Sequence, residues 1–267
     1  ALVTVDAEAR VNSIFANLFK KDHSLVHAKA VVEYSTYNAE SIAVAFVLDV
    51  SGSMGERVSG DEKVKIEALK EATEVLFTSI EEPIAKNGPV GDRLRSSLSS
   101  YNVSLVPQWT TPMVSEYGNT KQKGKTKKTI KKLSAYGNTN STAGLEDALD
   151  KLKGERAAGP TTQLYMLLMT DGVNTLPGAD EKSKTICDRA KALEVNIYTV
   201  AFDAPIEGKN LLLNCASRDD GDDKNDSACA GTNPGSDCKA LKENHYFDAA
   251  NQDNLIKAFK EIGQNIG

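Results

Sequence analysis

Residues 42–55 read Ile42-Ala-Val-Ala-Phe-Val-Leu-Asp49-Val-Ser51-Gly-Ser53-Met-Gly55, and this stretch decides how the rest of the chain is understood. From Ile42 to Leu48 the run is apolar and rich in β-branched residues, with the length and composition of a strand buried on both faces. It ends abruptly at Asp49, Ser51 and Ser53, where oxygen-bearing side chains alternate around a glycine. In an open α/β sheet, ligands bind in the crevice beyond the carboxyl ends of the strands, which is where such a cluster falls. One carboxylate and two hydroxyls form a hard-oxygen set suited to magnesium or manganese. By itself this D-x-S-x-S pattern is equally well explained as a polar turn.

A second stretch weighs against the turn. Leu164 to Met169 is again an apolar strand, and it too runs into an acid, Thr170-Asp171-Gly172. Between the two lies Gly137-Asn-Thr139-Asn-Ser-Thr-Ala-Gly-Leu145, a small polar loop entering a helix with Leu145, Ala148, Leu149 and Leu152 on its inner face. A threonine hydroxyl at such a junction either caps the helix or ligates a cation. Packing has no need of aspartates at these strand ends, and a buried carboxylate is costly unless paired, hydrogen-bonded or close to a metal. Two strands of parallel type that each end in aspartate beside glycine, with a hydroxyl loop between them, point to a metal site at Asp49, Ser51, Ser53, Thr139 and Asp171.

Strands alternate with helical segments along the chain, which predicts one doubly wound α/β domain from residue 42 to 267, with a mostly parallel sheet and helices on both faces. A helix follows from Val64 to Ile80 and closes at Glu82-Pro83; Ile186, Ala190 and Leu193 mark another, and Val195–Phe202 a third apolar strand. One or two short strands are expected in 93–106, with Pro107 and Pro112 keeping the following segment irregular and Trp109 as a packing residue. His245–Phe247 reads as a last short strand, and Leu255, Phe259, Ile262 and Ile266 as a closing amphipathic helix. Residues 1–41 are expected to hold a helix over 6–20, with Val11, Ile14, Phe15, Leu18 and Phe19 on one face, and a strand over 25–34. This pair either packs on the main domain or ends a stalk.

The 267 residues are 40% hydrophobic and 26% charged with a net charge of −5, an acidity that argues against general nucleic-acid binding. No apolar stretch reaches the roughly 20 residues that span a bilayer, and no signal peptide is visible. A membrane anchor, if the protein has one, is expected outside this sequence. The four cysteines, Cys187, Cys215, Cys229 and Cys238, contain no C-x-x-C pair and fit two disulfides in an oxidising compartment. Cys229–Cys238 closes a short loop, leaving Cys187–Cys215. The segment 215–238 is then a cysteine-stapled acidic loop whose aspartates lack calcium-loop spacing. The lysine run at 121–132 reads as a solvated loop leading into a short helix that turns Ile130 and Leu133 inward.

Asp49-x-Ser51-x-Ser53, Thr139 in its GNTN loop and Thr170-Asp171-Gly172 together resemble the metal-ion-dependent adhesion site of von Willebrand factor A domains, in that family's order. Within the family the chain looks most like the TadG-type proteins of Tad/Flp pilus systems. That narrower likeness rests on Ser100-Tyr101-Asn102, the GNTNSTAGL loop, Cys187, Ile197-Tyr-Thr-Val200, Asn214-Cys-Ala-Ser217 and Tyr246-Phe-Asp-Ala249. The resemblance implies a Rossmann-like fold in which Ser51, Ser53 and Thr139 ligate Mg²⁺ (or Mn²⁺ or Ca²⁺) directly. Asp49 and Asp171 act through water or as hydrogen-bond acceptors. It further implies a non-enzymatic module that binds an acidic group of a protein partner, pilus components among the candidates, on the periplasmic or cell-surface side of a membrane-anchored protein. A surface adhesin with a host or matrix ligand is the first alternative, a metal-dependent phosphohydrolase the second. The enzyme reading lacks the second aspartate of a D-x-D phosphotransferase, a G-x-S-x-G elbow, a P-loop lysine and an evident general base.

Overall fold

The computed structural model describes residues 2–11, 24–33, 41–58, 60–86, 88–118, 121–159, 161–222 and 236–267. The chain divides into two units, residues 1–39 and 40–267.

In the first unit β1 (Leu2–Val11) pairs with β2 (Ser24–Glu33) as an antiparallel ladder, in register from Leu2 opposite Glu33 to Val11 opposite Ser24. This corrects the expected helix over 6–20. Val3, Val5, Ala7, Ala9 and Val11 recur at every second residue, the period of a strand. The helical spacing begins only at Val11, and residues 12–20 lie outside the described residues. The strand expected at 25–34 is β2.

The second unit is built on a six-stranded sheet in the order β5-β4-β3-β6-β7-β8. Its strands are β3 (Ile42–Asp49), β4 (Leu94–Tyr101), β5 (Thr111–Ser115), β6 (Gln163–Thr170), β7 (Val195–Phe202) and β8 (Tyr246–Ala249). All neighbours run parallel except β5 against β4. β3 lies between β4 and β6, so the chain turns one way from β3 and later returns to its other side. The carboxyl ends of β3 and β6 therefore flank the switch point at which such sheets bind ligands.

β3 is buried at every position and serves two cores. Ile42, Val44, Phe46 and Leu48 face the core beneath α1 (Lys65–Lys86) and α7 (Gln252–Ile266). Ala43, Ala45 and Val47 face the core beneath α3 (Thr142–Ala158), α4 (Ala179–Lys191) and α5 (Ile206–Cys215). The alanines leave room for α3 to press on the sheet. A Cβ on its Gly144 would stand 2.8 Å from Tyr101 and 3.1 Å from Val47.

Two prolines behave otherwise than expected. α1 continues through Pro83 to Lys86, its last turn held by Ile84 in the core. Pro112 lies inside β5, where the register shifts between Ser96 and Leu98 of β4. An edge strand at a bulge tolerates a residue that cannot donate to the ladder. The lysine run forms α2 (Lys125–Ile130) with Ile130 and Leu133 buried as expected. A short helix, α6, spans Ser236–Ala240. Among the described residues no helix is long and apolar enough to cross a membrane.

Candidate metal centre

Asp49 is the last residue of β3 and is wholly buried. Its Oδ1 accepts from the Ser51 backbone N–H at 2.7 Å, and its Oδ2 accepts from the Thr170 hydroxyl at 2.5 Å. Burial, and then the charge of Asp171, push its carboxyl up to about 6, while the bonds from Thr170 and Ser51 pull the other way. A carboxylate taken out of water beside a second one is electrostatically unfinished, and a cation would complete it.

Asp171 follows β6 directly. Its Oδ1 accepts from Ser53 Oγ at 2.8 Å, and Ser53 Oγ lies 3.2 Å from Ser51 Oγ. The D-x-S-x-S loop and the T-D-G loop, 118 residues apart in sequence, are thus joined side chain to side chain. The other oxygen of Asp171 accepts from Lys65 Nζ at 3.0 Å, and the same ammonium lies 3.2 Å from Asp203.

Thr139 is brought to the same place by backbone bonds. Gly52 N–H donates to Gly137 C=O at 2.8 Å, Tyr136 N–H to Val50 C=O at 2.8 Å, and Thr175 N–H to Thr139 C=O at 2.8 Å. Gly137 has φ +82°, and a Cβ on Gly52 would stand 3.2 Å from the Gly137 carbonyl. Glycine at both positions is what lets the two loops touch. A Cβ on Gly172 would lie 3.9 Å from Ser53 Oγ and 4.0 Å from Thr139 Oγ1, so both hydroxyls converge over the T-D-G turn. The position before α3 is Ser141, whose hydroxyl bonds Asn174 and Ser183 and makes no capping bond, and Thr139 lies two residues further from the helix.

All five residues singled out in the sequence therefore meet at the carboxyl ends of β3 and β6. Lys65 and Asp203 were not foreseen. The only sequence signal for Lys65 was a lysine in the first turn of a helix, where the helix dipole disfavours a cation. Asp203 follows β7, so three neighbouring strands, β3, β6 and β7, each deliver an aspartate to this edge.

Elsewhere, His245 precedes β8, the edge strand beside β7, and lies 2.9 Å from Asp219 and stacks on Tyr198. Trp109 is half-buried and meets Tyr136 edge-on at 5.7 Å. The lysine run borders a cleft of about 610 Å³ that shares no residue with the acid–hydroxyl cluster. Cys187 and Cys215 are joined. Cys238 is also disulfide-bonded, and Cys229, its expected partner, lies outside the described residues.

Two carboxylates and three hydroxyls suit a hard divalent cation better than a soft one. Among the described residues no three His, Cys, Asp or Glu side chains form a cluster that could hold a metal, so any ion here depends on the hydroxyls.

No curated protein sequence matches the chain. Among solved structures, it is similar to the pilus adhesin SpaC from Lactobacillus rhamnosus GG, with a TM-score of 0.62, 14% identity, and coverage of 88% of this chain and 32% of that one. This chain thus spans about a third of that adhesin. It is also similar to the PilB minor pilin from Streptococcus sanguinis (TM-score 0.56, 13% identity, 99% of this chain and 78% of that one). A third likeness is to the vWF domain of the type V pili tip protein Mfa5 from Porphyromonas gingivalis (TM-score 0.55, 14% identity, 85% and 95%). At these identities the likeness is one of fold. Residues 43–260 match the von Willebrand factor type A domain as a sequence family, and the chain belongs to that family.

Proposed function

We propose that the chain is a non-enzymatic, metal-dependent protein-binding domain of a pilus or adhesion system, of the TadG-like kind, working in the periplasm or at the cell surface. The observation that carries this reading is the meeting of Asp49, Ser51, Ser53, Thr139 and Asp171 at one sheet edge. A bound Mg²⁺, or Mn²⁺ or Ca²⁺ in its place, would supply a Lewis-acidic position open to a carboxylate from a partner. The chain's own residues do the rest. Ser51, Ser53 and Thr139 offer neutral oxygens, which leave the ion's charge largely uncancelled. Asp49 fixes the Ser51 backbone, and Asp171 orients Ser53.

A protein partner suits the rim of the site. Val103, Tyr136 and Leu176 are exposed large apolar residues. Each lies on or beside a hydrogen bond that ties the site's loops: Asn140 to the Val103 carbonyl, Tyr136 to Val50, and Thr175 to Thr139. Exposed aromatic and apolar side chains of this kind supply the water-excluding contact area of protein interfaces, where aromatic residues are enriched. The similar structures are those of a pilus adhesin, a minor pilin and a pilus tip protein, which supports a pilus or adhesion setting over the phosphohydrolase alternative. That alternative also needs a general base, and His245 is engaged elsewhere, with Asp219 and against the Tyr198 ring.

The test is calorimetric titration of Mg²⁺, Mn²⁺ and Ca²⁺ into metal-stripped protein. One saturable site is expected, lost in Ser51→Ala/Ser53→Ala and weakened at least about tenfold in Thr139→Ala, with the fold retained by circular dichroism. Wild-type protein that takes up none of the three ions would overturn the reading.

A further inference from the structure

Lys65 is the residue at this site that the metal-binding reading leaves unexplained. Its side chain is only 7% exposed, a burial that lysine seldom accepts. It opens α1, against the helix dipole. Its ammonium pairs with Asp171 at 3.0 Å and with Asp203 at 3.2 Å, and Asp171 in turn holds Ser53. Asp203 is presented by a left-handed backbone (φ +50°), a conformation that aspartate tolerates, and its N–H donates to the Ala249 carbonyl at 2.8 Å. Helix and sheet are thus both arranged to keep a fixed positive charge against one of the site's two buried acids.

A fixed cation here has two consequences. It neutralises part of the negative charge that would otherwise draw a divalent ion, and it repels that ion once bound. Counting the buried groups, Asp49, Asp171 and Lys65 sum to one negative charge. A divalent ion brings the sum to one positive, and a single carboxylate from outside brings it to zero. Without Lys65 the metal alone would reach neutrality and leave little attraction for a further acid. Asp203, nearly half exposed, is screened by water and alters this count less.

We propose that Lys65 sets the affinity of the site, so that the domain binds a divalent cation weakly by itself and more tightly together with a carboxylate. This rests on the reading that the site binds a divalent cation. It makes Lys65 a positioning and tuning residue that acts through Asp171.

The experiment is calorimetric titration of Mn²⁺ into metal-stripped wild type, Lys65→Met and Lys65→Arg, with Ser51→Ala/Ser53→Ala as control and with and without acetate as the carboxylate probe. Lys65→Met keeps most of the buried stem and removes the charge, so it should bind Mn²⁺ about tenfold tighter or more, with a smaller gain from acetate than wild type. Lys65→Arg should stay within about threefold of wild type. Wild-type binding that is lost in the control but no tighter in Lys65→Met would overturn the inference and leave the metal site standing. Equal acetate gains in wild type and Lys65→Met would overturn the coupling to carboxylate. Absence of binding in every variant would overturn the site itself, and this inference with it. Should Lys65→Met not fold when stripped, thermal melts decide: folding restored by Mn²⁺ but not by EDTA supports the inference, and no folding in either overturns it.

Discussion

At the scale of single residues, Asp49 carries the sharpest consequence, because it is a carboxylate with no cation of its own. Its immediate neighbours are the Thr170 hydroxyl, the Ser51 amide and Asp171, whose charge Lys65 partly offsets. Its carboxyl rises from an ordinary 3.8 to about 6 in the folded protein. Between those values the native state holds a proton that the unfolded chain has lost, so stability falls as pH rises through this window and levels off above it. Two units correspond to about 3 kcal/mol. Urea unfolding in EDTA from about pH 4 to about pH 7 should show wild type losing stability by roughly this much relative to Asp49→Asn. Parallel profiles for the two proteins would refute it. The acids and hydroxyls of the site were legible in the sequence because each ends a strand that had no structural use for it. Lys65 and Asp203 were not, since nothing local marks a lysine on a helix and an aspartate after β7 as partners 138 residues apart.

At the scale of elements, what the sequence hid is close packing of backbone on backbone. The amphipathic spacing of α7 was plain, with Leu255, Phe259, Ile262 and Ile266 buried as expected. Gly263 reads in sequence only as a weak point in that helix. In the structure a Cβ at Gly263 would stand 2.6 Å from Ser79 Cβ and 2.7 Å from the Leu76 carbonyl of α1, so glycine sets how closely the two helices approach. A glycine-to-alanine change inside an unhindered helix stabilises by about 0.5–1 kcal/mol. Gly263→Ala should instead cost about 1–3 kcal/mol through overpacking, because the obstructing atoms are largely backbone. Gly154 in α3, whose Cβ would meet nothing within 4 Å, is the internal control, and Gly154→Ala should be neutral or stabilising. Thermal melts of the two variants check the opposite signs, and equal shifts would remove Gly263 from this role. Pro112 in β5 and the strand at Leu2–Val11 show the same limit from another side. A bulge or a ten-residue ladder depends on a partner strand, which local spacing does not reveal.

At the scale of the whole molecule, the alternation of strands and helices made the doubly wound sheet readable, because buried parallel strands leave unbroken apolar runs. The order of strands places the site where the chain reverses around β3. The helices on one side of that sheet are held by more than packing. Cys187, buried in α4, is bonded to Cys215, buried at the end of α5, closing a loop of 28 residues that contains β7. A cross-link of that span removes enough freedom from the unfolded chain to stabilise by about 3–4 kcal/mol. Cys187→Ala/Cys215→Ala should therefore lower the free energy of urea unfolding by about that amount. Neither cysteine touches the acid–hydroxyl cluster at the sheet edge, so Mn²⁺ affinity in the absence of urea should stay at the wild-type value. A variant as stable as wild type would show that the bond constrains little. One that keeps its stability yet loses Mn²⁺ would show that α4 and α5 govern the geometry of the Asp171 turn, a coupling that the separate roles of disulfide and site do not allow.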